Sequence, residues 1–233
     1  MERIAASGDR VLEILRRSLK VRPEDYVVLV AAEKYGGPFI VLASIILSQN
    51  TNDKNAIRAL EEMVERVGRT VEDVLSHSVE ELAEAIRPAG LHEQKARAIY
   101  ELARRLREAG GEEYLEREDP WKLREWLTSI PGIGPKTADV FLAFYRKAPV
   151  FAVDTHAARI ARRWGLVDSI SYDRVSRALL EFFGPHHAEE AHRLLIALGR
   201  TYCKARRPRC EECPLKSICP YVRRRSSSQS LAG

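Results

Sequence analysis

All four cysteines of this 233-residue chain fall in one short basic run, YCKARRPRCEECPLKSICP, as Cys203, Cys210, Cys213 and Cys219. Gaps of six, two and five residues could close disulfides only through tight, strained loops, and a reducing cytoplasm would keep the thiols free in any case. Zinc sites usually divide into two close pairs with a longer spacer, whereas four thiolates at short, uneven intervals suit the corners of an iron-sulfur cube. A 4Fe-4S cluster is therefore expected, with zinc as the alternative.

A second stretch that could do chemistry is LTSIPGIGPKTADVFLAF, residues 127–144. A helix should end near Ser129, the run Pro131-Gly132-Ile133-Gly134 should turn, and Pro135 should open the next helix at its preferred first position. The two glycines would let the backbone turn and approach a ligand closely. With the unpaired amides of the new helix they would make a seat for a phosphate oxygen, the helix-hairpin-helix grip on a nucleic-acid backbone. Lys136 lies in the first turn of that helix, where the macrodipole opposes an ammonium. The same field favours the neutral, nucleophilic amine, so Lys136 reads as a nucleophile or as a phosphate-binding lysine. Farther on, in VFAVDTHAARIARRWGL, Asp154 directly precedes a helical run. It can cap that helix and, held ionised by helix amides, stabilise a developing cation.

The elements that must position these groups read as helix after helix. Ile99, Leu102, Ala103 and Leu106 recur at the helical interval before Gly110-Gly111, and two similar series stop at Gly68 and Gly184. Ser78 with Glu81 has capping-box spacing, and Asp119-Pro120 is a helix start. Tyr26–Val30 is the one credible strand, without a clear partner. The expected fold is all-α, and the tail from Arg223, basic and then serine-rich, is expected to be disordered.

A net charge of +5 favours a polyanionic partner. The apolar run 38–47 is too short to span a bilayer, and residues 1–20 lack the apolar core of a signal peptide, so the chain is expected to be cytoplasmic. Asn and Gln together number six against 30% charged residues, a balance that leans towards a heat-adapted source.

The hairpin with Lys136, the VDTH sequence with Asp154 and the C-x6-C-x2-C-x5-C run together resemble the endonuclease III family, DNA glycosylases of the helix-hairpin-helix GPD superfamily, over residues 10 to 220. The resemblance implies a six-helix domain at 38–148 and a cluster domain built from 1–37 and 149–233, with DNA and an extruded base in a cleft between them. It implies a monomer, associated with the nucleoid, that removes oxidised pyrimidines of the thymine glycol type from duplex DNA and nicks the strand by β-elimination. Lys136 would be the nucleophile, activated by the helix terminus and by burial. Asp154 would support the sugar cation and move a proton. The loops ILSQNTND and AGLHEQKA resemble the family's two insertion loops, which puts Asn50 in the vacated space, Gln49 as its competitor and Leu91 as a wedge. Gly132, Ile133, Gly134 and Pro135 would grip phosphate, as would Lys204, Arg206, Arg207 and Arg209 on a loop fixed by the cluster. His156 is read as a DNA contact or a structural histidine, and Asp139 as a second carboxylate near Lys136 or a helix-turn acid. A monofunctional mismatch, uracil or adenine glycosylase, or a non-catalytic iron-sulfur DNA-binding protein, remains the alternative.

Overall fold

A computed structural model describes residues 2–224. Thirteen α-helices lie between Gly8 and Thr201, joined by short turns, and no strand occurs among the described residues. None of the helices described is long and apolar enough to cross a membrane. Two compact units form: one from Arg22 to Arg146, the other from the residues up to Val21 together with those from Lys147 onwards.

The first unit is built around α3 (Pro38–Leu47), every residue of which is buried. A helix that is apolar all round must be covered all round. Its cover comes from α2 (Val27–Lys34), α4 (Asp53–Arg66), α7 (His92–Glu108), α8 (Tyr114–Arg117) and α10 (Pro135–Phe144). The short α5 (Val71–Leu75) and α6 (Val79–Ala85) pack on α7. α6 carries the capping box foreseen at Ser78 and Glu81, and Asp119 caps α9 (Pro120–Thr128) through the amides of Trp121 and Lys122. The expected apolar face of α7 is present, with Ile99, Leu102, Ala103 and Leu106 all fully buried.

Two expectations about residues 22–37 are corrected. The stretch 26–30 is no strand: α2 begins at Val27, and its β-branched residues had suggested otherwise. No neighbouring strand offers a ladder, while Val27 and Ala31, one helical turn apart, are buried, so tertiary burial overrides local propensity. Nor does this segment belong with the cysteine unit, because α2 packs on α3 and α4.

The second unit assembles α1 (Gly8–Ser18), α11 (Thr155–Arg163), α12 (Tyr172–Phe183) and α13 (Ala188–Thr201) around Leu12, Leu15, Phe151, Trp164, Phe183 and Leu195. At the end of the described chain the expected disorder does not begin at Arg223. Residues 220–224 are helical, Arg223 pairs with Glu2 at 2.8 Å, and Arg224 donates to the Arg163 carbonyl at 2.9 Å. The remainder of that tail lies outside the described residues.

Candidate functional site

In the first unit, α9 and α10 pack against each other and are joined by a turn through Ile130–Gly134. Gly132 has φ +90°, and a Cβ there would come within 2.7 Å of the Ala98 Cβ on α7, so both conformation and space demand glycine. Gly134 differs from expectation. Its φ of −93° suits any residue, and nothing lies within 4 Å of where its Cβ would be. The turn itself does not require that glycine; open space beyond the backbone is what it preserves. No side chain caps α10, so the first-turn amides of Lys136 and Thr137 stay open to an outside acceptor.

Lys136 is the second residue of α10 and is exposed. The burial expected to help keep its amine neutral is therefore not supplied by the packing of the chain. Its side chain takes no hydrogen bond or ion pair among the described residues. Asp139, three residues on, is 1% exposed and grips Arg124 of α9 through both oxygens, at 2.5 and 3.1 Å. This carboxylate fastens the two hairpin helices together.

Gln49 lies beside the turn, its amide nitrogen donating to the Gly132 carbonyl at 3.0 Å and the Thr137 hydroxyl at 2.9 Å. Asn50 follows it, exposed and left-handed at φ +52°, a conformation asparagine tolerates. Leu91 is also left-handed, at φ +50°, and its side chain is 51% exposed at the N-cap of α7. For leucine that backbone costs about 1 kcal/mol or more. An apolar side chain held out in solvent on strained backbone gains nothing for the fold.

In the second unit, Asp154 caps α11, its Oδ1 accepting from the Ala157 amide at 2.7 Å. Oδ2 is uncommitted among the described residues. His156 packs against α13, where a Cβ on Gly199 would fall 2.2 Å from its Nδ1. That nitrogen also lies 2.9 Å from Arg159 Nη2. Arginine can only donate, so Nδ1 accepts and the ring proton sits on Nε2. The ring is thus held within the second unit by an arginine donor and a close-packed helix.

None of the four cysteines is in a disulfide, and together they line one small cavity with Trp164, Leu198, Tyr202, Leu215 and Tyr221. Burial pushes the Cys213 thiol up to about 11 and that of Cys219 upward as well, so iron must displace protons to bind. Four soft donors around a shared apolar-walled space fit an iron-sulfur cluster. When bound, the cluster would crosslink Cys203, Cys210, Cys213 and Cys219 and so fix the loop between the first two. Lys204, Arg206, Arg207 and Arg209 are exposed on that loop, Arg209 in an ion pair with Glu212.

Sequence reasoning missed the residues that hold this loop from α11. Arg163 donates to Cys203 Sγ at 3.1 Å and to the carbonyls of Lys204 at 2.8 Å and Ala205 at 3.2 Å, and it lies over the Tyr221 ring at 4.6 Å. Arg159, one turn earlier, donates to the Cys203 carbonyl at 2.9 Å. Their four-residue spacing on the helix after Asp154 was the available signal.

Comparisons with known proteins agree with this arrangement. Residues 43–185 match the HhH-GPD superfamily of base excision DNA repair proteins, and residues 203–219 match the iron-sulfur binding domain of endonuclease III. Endonuclease III of Sulfolobus acidocaldarius is 35% identical over 89% of this chain and 92% of its own. A solved non-covalent endonuclease III–DNA complex superposes with a TM-score of 0.74 at 27% identity, covering 95% of this chain and 99% of that one. A trapped endonuclease III–DNA covalent intermediate gives 0.70, with the same identity and coverage.

The fold and its site thus define a DNA glycosylase of the helix-hairpin-helix GPD class. Within that class the chain belongs to the endonuclease III family, with a 4Fe-4S cluster as its cofactor and DNA glycosylase and abasic-site lyase as its activities.

Proposed function

We propose that the protein removes oxidised pyrimidines of the thymine glycol type from duplex DNA and cleaves the strand through an imine on Lys136. The observation that carries this reading is the uncommitted amine of Lys136 at the open N-terminus of α10, one residue past Pro135. The hairpin amides hold a backbone phosphate, and the bound nucleotide supplies the desolvation that the protein alone does not. The Nζ lone pair attacks C1′, the glycosidic bond breaks, and the base leaves with the bonding electrons and takes a proton. Sugar-ring opening gives the imine; loss of a C2′ proton then expels the 3′ oxygen and nicks the strand.

Asp154 is assigned to the sugar cation and to proton transfer, with Oδ1 held in the cap and Oδ2 for the substrate. Activation of Lys136 is assigned to the helix terminus and to desolvation by the bound nucleotide. Asn50 fills the space left by the extruded nucleotide and Leu91 wedges the opposite strand, since the amide of Gln49 is engaged by the hairpin. The enzyme acts as a monomer on the nucleoid in the cytoplasm.

The test is borohydride trapping on duplexes containing thymine glycol or an abasic site. Wild type should yield a reduced covalent complex and Lys136→Gln none. Base release by wild type without any trapping would replace this reading with a monofunctional glycosylase.

A further inference from the structure

Lys95 stands apart from the other lysines of the chain. It lies in the first turn of α7 and is only 3% exposed, although lysine is rarely buried without a partner. No carboxylate holds it. Its Nζ donates instead to two backbone carbonyls, Leu47 and Ala89, each at 2.8 Å. Leu47 is the last residue of α3 and Ala89 the last of a short 3-10 turn, Arg87–Ala89. Both carbonyls are of the kind a helix leaves unpaired at its end. Three residues past the first comes Asn50, and two past the second comes Leu91, the two exposed left-handed positions already described.

The Lys95 amide also donates to the Leu91 carbonyl at 3.0 Å. One residue therefore holds the departure point of one loop and both ends of the other. The same helix carries Ala98, against which the hairpin turn packs at Gly132, and Gln49 joins the first loop to that turn. The hairpin is thus joined to Gln49, and Lys95 to Leu47, two residues before Gln49 in the chain.

We propose that Lys95 is a positioning residue that locks the loops bearing Asn50 and Leu91 to one another, so that both side chains enter the duplex as one rigid unit. The proposal rests on the reading that these loops are inserted into DNA. Burial holds the ammonium of Lys95 down at about 8, so it is charged near neutrality, and charge strengthens both hydrogen bonds. Lys95→Met keeps most of the stem and removes both donors, leaving two buried carbonyls without partners.

The experiment is a cycle of Lys95→Met, Leu91→Ala and the double variant. Base release is measured on a thymine glycol duplex carrying 2-aminopurine opposite the lesion, and strand cleavage on a single-stranded abasic oligonucleotide that has no opposite strand to wedge. Each single variant should lose the 2-aminopurine response and slow base release from the duplex roughly tenfold, while the double variant is no slower than the worse single, because coupled residues are not additive. In Lys95→Met, cleavage of the single strand should stay at the wild-type rate, an outcome that general damage to the fold would not give. Losses that multiply in the double variant, or parallel loss on the single strand, overturn the lock. A silent Leu91→Ala removes the insertion reading and the lock together. If Lys95→Met fails to fold by circular dichroism, Lys95→Gln takes its place in the cycle under the same criteria.

Discussion

The hairpin and the cysteine loop both expose cationic side chains, and they are held in place by opposite means. The hairpin is fixed by the protein alone: the half-buried Arg124 on the buried Asp139 carboxylate clamps its two helices, Gln49 holds its turn, and Gly132 lets the turn pack against Ala98. The cysteine loop has no buried ion pair among its described contacts. It is held by arginine donors from α11 to its carbonyls and one sulfur, and by thiols poised around a common cavity. The contrast separates two jobs. On the proposed reading, Lys136 stands on a preformed frame, as reactive geometry requires, while a bound cluster would add a crosslink that fixes the basic loop.

The largest expected effect follows from removing one ligand. Cys213→Ala should abolish the visible absorption of the cluster and raise amide hydrogen exchange sharply across residues 203–219, leaving exchange in α9 and α10 near wild type. Equal loss of protection in the hairpin would erase the distinction between the two regions.

Next in size is the clamp on the other side of the comparison. Arg124→Ala removes both guanidinium contacts from the buried Asp139 carboxylate and should cost about 3 kcal/mol in urea unfolding. Replacing both partners, Arg124→Met with Asp139→Leu, should recover much of that loss, since removing a whole buried pair is often nearly neutral. No recovery would mean that the pair is needed for the shape of the hairpin as well as for its own charge balance.

Lys95 gives a smaller effect with a definite sign. Its folded value of about 8 lies below the usual 10.5, so between those values the unfolded chain binds a proton that the folded chain has released. Stability referred to Lys95→Met should therefore rise with pH across that window and stay flat below it. Urea midpoints of both proteins at about pH 7 and about pH 10 would show it, and a difference that falls with pH would contradict the burial.

How much of this was legible in the sequence depends on whether a feature is local. The cysteine spacing, the turn before Pro135, the Ser78 and Asp119 caps and the apolar period of α7 are each set by residues within a turn or two of one another, and all were read in advance. The strand expected at 26–30 failed because its β-branched residues are also good core residues, and the choice was made by α3 and α4. Lys95 was invisible for a related reason: within HEQKARA it looks like one more solvated charge, and only the fold brings the ends of two other elements to it. Arg124 and Asp139 lie fifteen positions apart, and no sequence period links them. What escaped was the set of supporting residues, whose partners are backbone carbonyls or side chains distant in the sequence.

The smallest effects lie within the basic loop and divide its four cations. If Lys204, Arg206 and Arg207 each meet a phosphate, each alanine replacement should lower the slope of log affinity against log salt by about 0.9. Arg209 should behave differently, because Glu212 already faces its guanidinium through two contacts and raises its pKa. A cation that arrives paired releases little counterion, so Arg209→Ala should leave the slope nearly unchanged. Glu212→Gln would free it and should steepen the slope by up to about 0.9. A drop for Arg209→Ala as large as that for Arg206→Ala would mean that the pair opens on binding and that the loop is remodelled by its partner. That result would move the cysteine loop still farther from the hairpin, whose contacts are already made.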